Sequence, residues 1–209
     1  MTSIFTIAKQ HSKLLLRLCI ALIVSVTFSA CEVDDPEKEE VPELITTVRL
    51  TFVPDVGGKT VVATASDPDG EGVADMQIDE PIKLLSGTSY TLSIVLINGL
   101  ADPTQPEYDV TEEVSEEADE HMFFFGWTVD LFANPPGSGN ANDPSGIVTY
   151  LDEDANGLPL GIETQWTTSA PAIGEFRIIL KHQPDLKSAQ SDASTGETDV
   201  DITFPVVIE

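Results

Sequence analysis

Residues 152–163, DEDANGLPLGIE, carry oxygen-bearing side chains at the spacing D-x-[DN]-x-[DN]-G-x5-E. That spacing suits a calcium ion. Asp152, Asp154 and Asn156 would offer side-chain oxygens, Leu158 a backbone carbonyl, and Glu163 a closing carboxylate, with Gly157 allowing the sharp reversal. Asn156-Gly157 is also a strong hairpin signal, so a hairpin tip is predicted here with or without an ion. A second loop, Asp67-Pro68-Asp69-Gly70-Glu71-Gly72, offers Asp67, Asp69 and Glu71 to calcium, although polar glycine-rich connectors are mostly plain turns. Binding at either loop would fall in the range of extracellular modules, about 10⁻⁴–10⁻³ M.

The histidines are the other candidate ligands. His121 follows Glu117 and Glu120 and offers a nitrogen to a zinc or haem site. His182 shares the strand phase of Phe176, Ile178 and Leu180. No two-histidine spacing or cysteine cluster accompanies them. They read as ordinary histidines, one ending an acidic helix and one at the inner end of a strand. The run Phe123, Phe124, Phe125 and Trp127 suits a stacking platform for a flat ligand, but more often such a run is a strand buried on both faces. Tyr150 and Trp166, near the Asp152 loop, are open to the same two readings. Of catalytic patterns, the sequence carries no G-x-S-x-G, no H-E-x-x-H, no P-loop, and no G-x-G-x-x-G between a strand and a helix. Carboxylate pairs are too abundant for one to stand out, so a non-enzymatic chain is expected.

Cys31 is a different kind of reactive residue. Lys9, Lys13 and Arg17 precede an apolar run, residues 18–28, too short to span a bilayer. Small Ser29 and Ala30 then lead directly to Cys31. The order is similar to a bacterial lipobox, with Phe28 where Leu is usual, and implies removal of residues 1–30 and a covalent lipid on Cys31. Cysteine usage agrees. Cys19 lies in the apolar run, so the processed chain keeps one thiol, with no disulfide partner. Two or three acyl chains, at about 0.8 kcal/mol per buried CH₂, would anchor the chain to a membrane stably. Residues 31–43 then form an acidic tether with seven acids, one lysine and two prolines. Fully extended to residue 44 it reaches at most about 45 Å. Acid directly after the cysteine is similar to the surface-export signal of Bacteroidota lipoproteins. This implies an outer-membrane address, on the surface or the periplasmic face.

The whole chain has a formal net charge of −26. Removing residues 1–30 takes away three cations and no acid, leaving seven cations against 36 acids, a net charge of −29. This balance argues against nucleic acid as a partner, because phosphate binding rests on Lys and Arg. It argues equally against lying flat on anionic lipid.

These groups need a scaffold, and the periodicity is mostly two. Val48, Leu50 and Phe52 share a face, as do Tyr90, Leu92, Ile94 and Leu96, then Phe176, Ile178 and Leu180, then Val200, Ile202, Phe204, Val206 and Ile208. Short strands between Gly, Pro, Asp and Asn clusters predict an all-β fold over residues 44–209: an antiparallel, immunoglobulin-like β-sandwich of about 7–9 strands. Residues 109–120, with seven acids in twelve, predict one short acidic helix capped by Asp109 with Glu112. Like charges at i, i+4 make that helix marginal alone.

Three segments together resemble a group of small lipoproteins of flavobacteria and their relatives. They are Glu120-His121-x-Phe123-Phe124-Phe125, Asp152-x-Asp154-Ala155-Asn156-Gly157-x-Pro159-x-Gly161, and Gly196-Glu197-Thr198-Asp199-Val200. Members are often labelled as a type 1 periplasmic binding fold, but two α/β lobes need more residues and helices than this chain has. The resemblance implies a location rather than a reaction. The expectation is a lipid-anchored binding or accessory module, possessing calcium at most as a stabiliser, that captures a small ligand or serves an outer-membrane receptor. The alternatives are a structural or adhesive spacer, and a hydrolase with an unfamiliar site.

Overall fold

Alternation of apolar and polar residues sets the strands, and pairing between them sets the sheets. β1 (Thr47–Pro54) turns Val48, Leu50 and Phe52 fully inward. β5 (Ser89–Ile97) does the same with Tyr90, Leu92, Ile94 and Leu96. The two pair antiparallel with Leu50 opposite Ile94 and Phe52 opposite Leu92, so one face of the ladder is wholly apolar. The computed structural model describes residues 43–67, 70 and 76–209. The predicted signal peptide, Cys31 and the predicted tether through residue 42 lie outside the described residues, as do Asp69 and Glu71 of the second calcium candidate.

The remaining strands are β2 (Val61–Ser66), β3 (Gln77–Ile78), β4 (Ile82–Leu84), β6 (His121–Trp127), β7 (Phe132–Asn134), β8 (Thr149–Tyr150), β9 (Glu163–Thr168), β10 (Ala172–His182) and β11 (Glu197–Ile208). The all-β expectation holds: one sheet runs β3-β2-β1-β5-β9-β7 with β8 beside β9, and the other runs β4-β11-β10-β6. They form a sandwich-like pair in which the larger sheet curls as a half-barrel. Eleven strands among the described residues exceed the expected 7–9, because β3, β4, β7 and β8 are pieces of two or three residues that period-two patterning cannot register. The pairing is antiparallel except at β4–β11, which is parallel.

An aromatic cluster fills the space between the sheets. The Trp166 ring lies 5.0 Å from both Trp127 and Phe176, edge to face, and Phe125 stacks on Phe176 at 5.9 Å. Trp166 is fully buried and its indole N–H donates to Thr164 Oγ1 at 2.8 Å. Every residue of β6 is buried, as expected for a strand covered on both faces. The inward face meets the aromatic cluster, while Met122 and Phe124 join Ile179 against Ala141, Tyr150 and Ala193. The outer edge of β6 is closed as well: Phe123 N–H donates to Leu160 O, Phe125 N–H to Asn140 Oδ1, and Trp127 N–H to Ser138 O. The Tyr150 hydroxyl donates to the Phe123 carbonyl at 2.7 Å. Such covering leaves no open edge for another strand to join.

The single α-helix among the described residues, α1 (Val110–Glu116), begins where predicted. The Asp109 carboxylate accepts from the N–H groups of Thr111 and Glu112. Val110 and Val114, one turn apart, are fully buried and fix this otherwise acidic helix to the body. α1 delivers the chain directly to His121 at the start of β6.

Candidate metal centre

Two strand ends meet at one corner of the smaller sheet. β6 begins at His121 and β10 ends at His182, and their antiparallel register sets the two residues directly opposite. Their rings stack with centroids 4.6 Å apart and planes 6° from parallel. The His121 side chain is completely buried, while that of His182 is 9% exposed.

Carboxylates surround the pair. Glu43 comes from the segment just before β1, and its Oε1 lies 3.0 Å from His121 Nε2. Glu120, the residue before β6, places Oε2 3.3 Å from His182 Nε2. Asp199 comes from β11, with Oδ2 4.0 Å from His121 Nε2. A bulge aims it. β10 and β11 pair Leu180 with Val200 and then Lys181 with Thr198, leaving Asp199 as the extra residue. Asp199 and Val200 are consequently both buried, where strict alternation would turn Asp199 outward. The turn before β11 passes so close to β10 that a Cβ at Gly196, where φ is +75°, would collide with the His182 carbonyl oxygen.

The groups hold one another in defined states. His121 Nδ1 lies 3.1 Å from the backbone carbonyl of Glu117, which requires the proton on Nδ1 and turns Nε2 toward Glu43 and Asp199. Burial opposes charge on His121, but the hydrogen bond and charge of Glu43, the Glu117 carbonyl and Asp199 together raise its pKa. Burial likewise opposes charge on Glu43, and the hydrogen bond and charge of His121 outweigh it, so its pKa is lowered. Asp199 is pushed up to about 7, first by burial and then by the negative charge of Glu43, against the pull of both histidines. No N–H or hydroxyl among the described residues donates to either Asp199 oxygen or to Glu43 Oε2, and the two carboxyls stand close enough to share a proton. Unmet buried carboxylate oxygens are costly and mark a place that a proton or a cation completes.

The ligand atoms of Glu43, His121 and His182 lie within 4.8 Å of one another, and so do those of Glu117, Glu120 and His182. Imidazole nitrogen with carboxylate oxygen suits zinc and its first-row neighbours rather than calcium.

The Asp152 loop is arranged otherwise. It is the predicted hairpin tip, with Tyr150 opposite Thr164 in β8–β9 and Glu153 bridging Pro159. Asp152 accepts from Gly161 N–H at 2.7 Å and from Glu163 N–H at 2.9 Å. Asp154 Oδ1 accepts from the N–H groups of Asn156 and Leu158. The Leu158 carbonyl, assigned to the ion by the sequence pattern, accepts from Asp154 N–H at 2.8 Å. Lys187 Nζ stands 3.0 Å from Asp154 Oδ2, both side chains 1% exposed, and also donates to Ala118 O at the end of the helical turn. A calcium ion shared by Asp152, Asp154, Asn156, Leu158 and Glu163 would compete with these amides and with that ammonium. In the other loop, Asp67 is buried, and its N–H donates to Thr46 O.

Sequence reasoning named His121 and His182 separately but not as a pair, and missed Glu43 and Asp199 as members. A pairing of β6 with β10 was the signal that would have joined the histidines. Comparison of the chain with family models, with curated proteins and with solved structures finds no match.

Proposed function

We propose that the chain is an outer-membrane lipoprotein, held by acyl chains on Cys31 and displayed on the cell surface, whose β-body works as a non-enzymatic binding or accessory module. In this reading the Glu43–His121–His182–Asp199 corner is the recognition element. One observation carries it: Glu43, the last residue of the predicted tether, is buried against His121 instead of lying in solvent. The corner therefore fixes Glu43, where the described body begins, onto the first residue of β6. Its closure fits holding a ligand better than turning over a substrate, since His121 is wholly inside.

Intact mass of the membrane-extracted protein, together with protease treatment of whole cells, tests the proposal. Acyl mass on Cys31 and digestion by added protease are expected. An unmodified first residue, or a chain released without detergent, removes the anchored-module reading.

A further inference from the structure

We infer that Glu43, His121, His182 and Asp199 form a site for one divalent transition-metal ion of the zinc class, which staples the entry residue Glu43 to the strand ends of the β-body. The role as a staple rests on the anchored-module reading; the binding itself does not.

The spacing is right for a bridging ion. Ligand atoms at about 2.0–2.2 Å from a tetrahedral zinc stand about 3.3–3.6 Å apart. His121 Nε2 is 3.0 Å from Glu43 Oε1 and 4.0 Å from Asp199 Oδ2, straddling that separation. A His182 ring nitrogen lies within 4.8 Å of the Glu43 and His121 ligand atoms, and closing the shell takes rotation of the stacked imidazoles out of parallel and of Asp199 toward them.

Charge and protonation also fit. Two carboxylates and two neutral imidazoles around a dication make a neutral group, which is the least costly way to bury these charges. His121 is already oriented by the Glu117 carbonyl on its far nitrogen, as histidine ligands of zinc commonly are. The independent pointer is Asp199, whose side chain is 1% exposed and whose two oxygens meet no N–H or hydroxyl donor among the described residues. His182 and Glu120, the latter 34% exposed at its side chain, form the more exposed side of the site. On binding, the proton held between His121 and Glu43 leaves to solvent and the metal takes its place.

The ion would join Glu43 to His121 across 78 positions of sequence and to β10 and β11. Calcium and magnesium, which take oxygen ligands, are poor fits.

The test uses the full chain, extracted in detergent and stripped with chelator. It is titrated with zinc by calorimetry and with cobalt by visible absorption. One saturable equivalent is expected, with a melting midpoint raised by about 5–10 °C at a hundredfold excess over Kd. His182→Gln and Asp199→Asn should each weaken zinc at least tenfold, with the far-UV spectrum unchanged. His182 lies on the rim, so its variant decides the matter if His121→Gln does not fold. Absence of saturable binding, or binding that survives both substitutions and so belongs to the acidic tether, overturns the inference. Zinc bound by a chain without acyl mass leaves the site standing and removes the anchored role.

Discussion

His121 and His182 face each other across β6 and β10 with parallel rings 4.6 Å apart, and His121 Nε2 meets Glu43 at 3.0 Å. Removing His121 leaves Glu43 and Asp199 buried side by side without their cation. His121→Ala should therefore destabilise the metal-free chain by about 3–5 kcal/mol, measured by urea unfolding in chelator. A change below about 1 kcal/mol would mean the carboxylates find other partners.

Asp199→Asn should act in opposite directions with and without metal. In chelator it replaces a carboxylate that repels Glu43 by a neutral amide able to donate to it. Stability should rise by about 1–2 kcal/mol. With zinc present the same variant should be the less stable protein. A melt in each condition checks this, and an equal loss in both would mark Asp199 as a packing residue only.

Lys187 and Asp154 form a buried pair between the hairpin tip and the end of the helical turn. Lys187→Met should cost about 3 kcal/mol by leaving a buried charge partly unmatched. Burial works against ionising Asp154, but the amides of Leu158 and Asn156 and the Lys187 ammonium prevail and hold its pKa below the ordinary value. Its unfolded value is about 3.9. The stabilisation is therefore complete above that pH and fades as pH falls through the lower, folded value. Acid unfolding of Asp154→Asn should accordingly be less steep below about pH 4 than that of the parent chain.

Asp152 separates an amide-capping role from a calcium role. Its carboxylate holds Gly161 and Glu163 N–H groups. Asp152→Ala should lower stability by about 1.5–3 kcal/mol, equally in millimolar calcium and in chelator. A loss seen only with calcium would support an ion in this loop.

Gly196→Ala should disturb the cluster from outside it. The added Cβ would strike the His182 carbonyl at a positive-φ position. A loss of about 2 kcal/mol or more is expected, together with weaker zinc binding, because the β10–β11 approach beside the bulge is set there. Unchanged zinc affinity would separate this turn from the site.

Much of the sandwich could be read from alternation: Val48, Leu50 and Phe52 on β1, and Tyr90 through Leu96 on β5, face inward as patterned. Asp109 marked the helix start by its short, local chemistry. The cluster was not legible, and the reasons are physical. Its members come from the end of the tether, the first residue of β6, the last of β10 and the bulge of β11. No local pattern spans these four places. The phase of Val200, Ile202 and Phe204 turns Asp199 outward, and only the slip opposite Leu180 and Lys181 reverses it. The Asp152 loop shows the converse. Oxygen donors at calcium spacing look the same in sequence whether they meet an ion or the loop's own amides.

The most direct measurement is an anomalous difference map at the zinc edge, from crystals of the chelator-stripped chain soaked with one equivalent of zinc. A single strong peak is expected about 2 Å from His121 Nε2, with His182, Glu43 and Asp199 as the other ligands. Zinc found only on exposed carboxylates, with the His121–Glu43 contact intact and no peak between them, would contradict it.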